Sequence, residues 1–140
     1  MCLSQMAQAQ SPKSEFRSVW FQTVWAGDWP KQHTEKAQKS EFASHLDRFE
    51  RLGINAACFQ VRTMCDAFYE SPYEPWGQWL TGTRGGDPGY DPLQYLIEEA
   101  HKRGIEIHVW INPYRFASTS TYTTLPNDYS VTHPNWVKYC

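Results

Sequence analysis

Two helices in this chain end in the same way. "FERLGINAACFQV" and "AHKRGIEIHVWI" each run from a charged helix tail through a glycine straight into an apolar strand. The two glycines, Gly53 and Gly104, stand 51 residues apart. A strand that starts one residue after a helix stop has no hairpin to join it to its predecessor. It must run parallel to the strand before that helix, wound in the right-handed sense. The repeat therefore reads as two turns of one βα unit. Two architectures offer it: an open doubly wound sheet, or a (β/α)8 barrel.

The remaining elements follow from periodicity and caps. Residues 16–24, "FRSVWFQTV", hold β-branched and aromatic residues with no Gly or Pro, and read as the first strand. Residues 35–53 place Phe42, Leu46 and Phe49 on one helical face ahead of Gly53. "INAACFQV" is the second strand. Residues 63–90, rich in Tyr, Pro, Trp and Gly, read as a long loop. In "DPLQYLIEEAHKRG", Asp91 suits an N-cap, Pro92 the first helical position, and Leu93, Leu96, Ile97 and Ala100 the buried stripe. Lys102 and Arg103 suit the negative end of that helix. "IEIHVWIN" is the third strand, and residues 116–140 read as a polar loop with Pro126 and Pro134.

Strand alternation favours the barrel. The third strand sets Ile105, Ile107, Val109 and Ile111 on one face, and Glu106, His108, Trp110 and Asn112 on the other. A sheet covered by helices on both faces would be apolar on both. A barrel strand turns one face to its helices and the other to an interior and a functional rim. Gln22, Gln60, Arg62 and Asn112 would then meet at the C-terminal mouth. The dinucleotide alternative wants a G-x-G-x-x-G turn after the first strand, and "VWAGDWPK" does not supply one. A complete barrel needs roughly 200 residues or more. The expectation is thus the N-terminal part of a (β/α)8 barrel, with about three strands and two helices.

Composition narrows the partners. The formal net charge is −2, from 13 basic and 15 acidic residues without a basic stripe, which argues against nucleic acid. No apolar run is long enough to span a bilayer. Seven Trp, eight Tyr and seven Phe are more than a small core needs, and aromatic faces also stack on sugar rings. His108 reads as a satisfied interior histidine. No Cys or His spacing resembles a zinc site, and the sequence calls for no metal or cofactor. Of the four cysteines, Cys2 lies in the leader and Cys140 at the end. Cys65 follows the second strand, and Cys58 reads as a small core residue. The leader contains Ala7-Gln8-Ala9, a small-x-small pattern with cleavage expected before Gln10, so residues 1–14 read as the remnant of a secretion signal and a linker. Lipid anchoring at Cys2 would need further sequence upstream.

The segments "EFRSVWFQTV", "DWP", "GINAACFQVRTMCDAFYESPYEPWGQWLTG", "DPGYDPLQYLIEEAHKRGIEIHVWINPYR" and "THPNWVKY" occur in this order. Together they resemble the N-terminal half of the glycosyl-hydrolase-like family 10 domain, from about residue 15 to 139. Ser18 departs from the small Gly or Ala usual in that family. The resemblance implies a (β/α)8 barrel in a secreted, periplasmic or cell-envelope bacterial protein. It implies hydrolysis of O-glycosidic bonds in a polysaccharide, with bacterial cell-wall glycan among the substrates. It also implies that an Asp-rich segment on the next strand carries acid chemistry. Residues 15–140 are then a truncated barrel domain, expected to be inactive alone and prone to self-association through uncovered edges. A non-catalytic carbohydrate-binding or scaffold barrel is the alternative.

Glycoside hydrolysis usually takes two carboxyl groups. The strand-end carboxylates here are Asp28 and Asp66. Asp28 also suits a turn before Trp29-Pro30, and Asp66 suits an ion pair with Arg62 that braces the loop. Arg62, at an inward strand end, needs a partner or a ligand. Its fork could hold a sugar group or orient a carboxylate. Asn112, Tyr114 and Arg115 in "NPYR", with Gln60, could grip sugar hydroxyls. The same amides could simply stabilise their own loops. Trp29, Trp76, Trp79, Tyr69 and Tyr73 either stack on glycan or pin the long loops.

Overall fold

The structure, a computed structural model, describes residues 15–118 and 123–138. The Ala7-Gln8-Ala9 pattern, Cys2 and Cys140 lie outside the described residues. Strands β1 (Ser18–Phe21), β2 (Ala56–Arg62) and β3 (Glu106–Ile111) form one sheet in the order β1-β2-β3, parallel throughout. Phe21 lies opposite Phe59, and Ala57 opposite Ile107, so like faces meet across the sheet. The β2–β3 register shifts between Gln60 and Arg62, at the C-terminal end of the sheet.

Helix α1 (Glu35–Arg51) buries Phe42, Leu46 and Phe49, the face read from the sequence. The short helix α2 (Gln78–Thr81) lies inside the stretch expected to be loop. Helix α3 (Pro92–His101) opens on Pro92, and the Asp91 side chain accepts from the Gln94 N–H at 2.9 Å. That bond satisfies one of the free donors of the first turn. Gly53 and Gly104, at φ 69° and 68°, make the left-handed stop after α1 and α3 that a side chain would resist. The backbone turns straight into the next strand. Ile54 N–H donates to the Phe49 carbonyl, and Ile105 N–H to the Ala100 carbonyl, both at 3.0 Å.

One apolar cluster joins Phe21, Phe59 and Val61 of the sheet to Phe42, Leu46 and Phe49 of α1 and Leu96 and Ala100 of α3. Phe59 is fully buried, with Phe21 stacked at 5.5 Å and Phe42 edge-on at 5.8 Å. Both long helices thus cover the same face. A (β/α)8 barrel packs its helices in this way, as does one βαβαβ half of a doubly wound sheet.

The opposite face is open. Trp20 and Trp110 cross edge-to-face at 5.0 Å, and Phe16 meets His108 edge-on at 5.4 Å. The polar side of β3 satisfies itself along the strand. His108 Nε2 lies 3.2 Å from Glu106, and the Trp110 indole N–H donates to Asn112 Oδ1 at 3.0 Å. Residues i and i+2 share a face, which permits this ladder. His108 is accordingly half-exposed rather than interior. Cys58, expected in the core, is half-buried on this open face with its sulfur 3.6 Å from Ser18 Oγ.

Three further boundaries differ from the sequence reading. β1 stops at Phe21, and Val24–Ala26 form a 3₁₀ turn with Trp25 and Ala26 at φ 56° and 48°. The strand stops because a side chain from β2 takes its next amides, as described below. Within the expected polar tail, Tyr129–Thr132 form helix α4, and Pro134–Trp136 form a second 3₁₀ turn. Among the described residues no helix is long and apolar enough to cross a membrane.

Candidate active site

The C-terminal strand ends hold most of the residues singled out from the sequence, but many of them bond to one another. Gln60 is fully buried. Its Oε1 accepts from the Thr23 and Val24 N–H groups at 3.1 and 3.0 Å, while Thr23 Oγ1 donates to the Gln60 carbonyl at 2.9 Å. The side-chain oxygen replaces a strand partner for the turn after β1, while Gln60 Nε2 is buried without a partner among the described residues. Asn112 is likewise engaged: its Nδ2 donates to the Thr63 carbonyl at 3.2 Å, and its Oδ1 takes the Trp110 indole. It ties the end of β3 to the end of β2.

The two carboxylates proposed as candidates are turn-makers. Asp28 Oδ2 accepts from Gln22 N–H at 2.7 Å and closes the loop after β1. Asp66, 1% exposed, accepts from the Thr63 and Met64 N–H groups at 2.9 and 2.8 Å, and from the Thr63 hydroxyl at 2.7 Å. Such a net of donors saturates Oδ1 and fixes the carboxylate to its own loop. The expected Arg62–Asp66 pair does not form. Asp66 is taken by its own loop, and Arg62 instead pairs with Glu74.

Glu74 is the residue that sequence reasoning missed. It follows the Ser71 turn, and its side chain is 8% exposed against 21% for Arg62. Ser71 Oγ donates to its second oxygen at 3.4 Å. Arg62 Nε is buried without a partner among the described residues. A buried carboxylate and guanidinium at a strand end require each other, because either alone would be a desolvated charge. One signal was present: Glu74 sits between Pro72 and Pro75 in an aromatic loop, where an acid must find a cation.

Tyrosines surround this pair. The phenols of Tyr69 and Tyr129 are held above their ordinary range, first by burial and then by the Glu74 carboxylate nearby. Tyr73 is 77% exposed beside them in the same loop. Cys65, in the left-handed region at φ 45°, has its thiol pushed up by burial.

The aromatic candidates divide. Trp29 is fully buried, with its indole N–H on the Gln38 carbonyl at 3.0 Å and its ring against Phe42 and Phe59. It belongs to the core, which corrects its place among the sugar-contacting residues. Trp79 and Trp76 pack against the core from the long loop, and the Trp79 indole N–H is buried without a partner among the described residues. Tyr114 is 96% exposed and Arg115 is exposed, so the end of the "NPYR" cluster faces solvent.

A second buried pair was also missed. Arg84 Nη1 meets Asp128 Oδ2 at 2.6 Å, with 1% and 2% of their side chains exposed. Arg84 Nη2 also donates to the Cys65 carbonyl at 3.1 Å. This cation fastens α4 to the loop after β2. Among the described residues no group of three His, Cys, Asp or Glu is placed to hold a metal ion.

A parallel βα sheet with both long helices on one face, and a charged mouth at the strand ends, is consistent with part of an α/β barrel. The chain belongs to the glycosyl hydrolase-like 10 family, whose model matches residues 15–139. It is therefore the N-terminal part of a (β/α)8 barrel. It is similar to glycosyl hydrolase YngK of Bacillus subtilis (strain 168), at 46% identity over 136 residues. It is also similar to glycosyl hydrolase DigH of Escherichia coli (strain K12), at 36% identity over 151 residues. Each match covers 94% of this chain, but 26% of the Bacillus protein and 34% of the Escherichia protein. The chain thus spans about a quarter to a third of the length of these relatives.

Proposed function

We propose that this chain supplies one wall of the active site of a barrel glycosidase that hydrolyses O-glycosidic bonds in a polysaccharide. The observation that carries the reading is the Arg62–Glu74 pair at the C-terminal end of β2, with Tyr69, Tyr73 and Tyr129 around it. Barrel chemistry is built at that end. A carboxylate oriented by a guanidinium is one of the two carboxyl groups that glycoside cleavage takes. The second is proposed to come from the following strand of the barrel, as the family resemblance implies. Bacterial cell-wall glycan is the proposed substrate, reached from a secreted, periplasmic or envelope location. The small-x-small pattern at residues 7–9 supports that location.

The test is to incubate the protein expressed from the complete reading frame with peptidoglycan glycan strands and a panel of neutral polysaccharides. New reducing ends are read by mass spectrometry. Glu74→Gln keeps an acceptor for Arg62 but removes the charge, and is expected to lower turnover by about a hundredfold or more. Wild-type turnover in Glu74→Gln would remove this residue from the reaction centre.

A carbohydrate-binding barrel without hydrolysis is the second reading. It is favoured by Asp28 and Asp66, whose carboxylates are taken up by backbone donors. Glycan binding by the complete protein without any new reducing ends would select it.

A further inference from the structure

Helix α4 and the turn behind it carry an aromatic group of which the proposed reaction centre uses Tyr129 alone. The His133 and Trp136 rings stack at 4.0 Å and 22°, and Tyr129 lies 5.8 Å from Trp136. Thr132 Oγ1 lies 2.9 Å from His133 Nδ1 and fixes the imidazole plane. Trp136 is nevertheless 67% exposed. An indole backed by a second ring, yet open on its other side, is a rigid apolar plane presented to solvent.

Its position is set by buried groups. Asp128 starts α4 and accepts from the Leu125 N–H at 2.6 Å with the same oxygen that meets Arg84. Arg84 in turn holds the Cys65 carbonyl, three residues after Arg62. The group is therefore tied, through Asp128 and Arg84, to the loop that follows Arg62.

We propose that Trp136, backed by His133 and aligned through Asp128 and Arg84, is a stacking platform for one pyranose ring of the glycan, in a subsite next to the Arg62–Glu74 centre. The inference rests on the glycosidase reading. A sugar is the occupant whose chemistry fits both parts. Its C–H face covers the indole, and its rim hydroxyls can bond the Tyr129 phenol beside it. Arg84 and Asp128 act as positioning residues, since they hold the platform through α4.

The experiment uses the protein from the complete reading frame with soluble peptidoglycan glycan strands as the probe. It follows tryptophan fluorescence on titration, and KM and kcat for release of reducing ends. Trp136→Ala is expected to weaken binding and raise KM about tenfold with kcat little changed, as loss of one stacked ring predicts. Trp136→Phe keeps a flat apolar face and is expected to stay within about threefold of the wild type. A purely structural role would instead lower the melting temperature of both variants and leave KM unmoved. If the wild type binds and cleaves glycan and Trp136→Ala does so equally well, the platform is wrong while the glycosidase reading stands. If the wild type neither binds nor cleaves any glycan in the panel, both fall together.

Discussion

The two faces of the sheet differ in how they are finished. The helix side is closed over β1 and β2, where Phe21, Phe59 and Val61 meet Phe42, Leu46, Phe49 and Leu96 with almost no exposed surface, but over β3 it leaves Val109 and Ile111 at 53% and 46% exposed. The other side leaves Trp20 two-thirds exposed and holds Trp110, His108 and Glu106 in pairs along the strands. The covered part of the helix face fixes the fold, while the open face mixes aromatic and polar side chains without packing them. The difference teaches that a helix completes the outer side of β1 and β2, while β3 and the inner side depend on further surface. Fold and site are thus built on different parts of each strand.

The largest effect should separate these faces. Phe59→Ala empties a site in contact with three aromatic rings and is expected to cost about 4 kcal/mol, read from the urea unfolding midpoint. Trp20→Ser in the same chain should change stability by less than about 0.5 kcal/mol. Repeating the pair in the protein from the complete reading frame sharpens the comparison. A large cost for Trp20→Ser there would mean that the open face is covered in that protein. A large cost in the present chain would break the distinction.

The next effect concerns the buried Arg84–Asp128 pair. Asp128→Asn removes the charge that balances a guanidinium with 1% of its side chain exposed, and is expected to cost about 3 kcal/mol. Hydrogen exchange of the α4 amides should rise with it. Unchanged exchange there would show that the pair does not fasten that segment.

The smallest effect is a pH dependence on the closed face. His45 lies edge-on to Phe21 at 5.0 Å, and burial lowers its pKa, against the opposing pull of Glu41 and Asp28. With the folded pKa below the ordinary 6.5, the unfolded chain takes the proton first. The contribution is therefore full above about pH 6.5 and is lost as the pH falls below it. Because His45 is half-exposed, less than about 1 kcal/mol is expected, and His45→Gln should remove that slope in unfolding midpoints measured from pH 7.5 to 5.5. An equal slope in the variant would assign it to other groups.

Much of this was legible in the sequence. Gly53, Gly104, Asp91 and Pro92 mark helix ends by local chemistry, and Phe42, Leu46 and Phe49 mark a face by spacing. The resemblance gave the family, and alternation in β3 gave the two-faced sheet. The strand-end site was legible in place but not in role. Arg62 finds Glu74 twelve residues on, and Arg84 finds Asp128 forty-four residues on. No local rule reports partners at such separations. The same limit left Asp28, Asp66 and Asn112 open between ligand and loop, because their backbone partners appear only once the loops are folded.

Gln60 carries one more consequence. Where β1 ends is written in a residue of the neighbouring strand, thirty-seven positions away. The first loop and this glutamine therefore depend on each other. Grafting residues 22–30 from a relative onto this chain succeeds only where the donor also bears a side-chain carbonyl at the position of 60. A Leu at that position would leave the Thr23 and Val24 amides searching for another acceptor and re-aim the entire first rim.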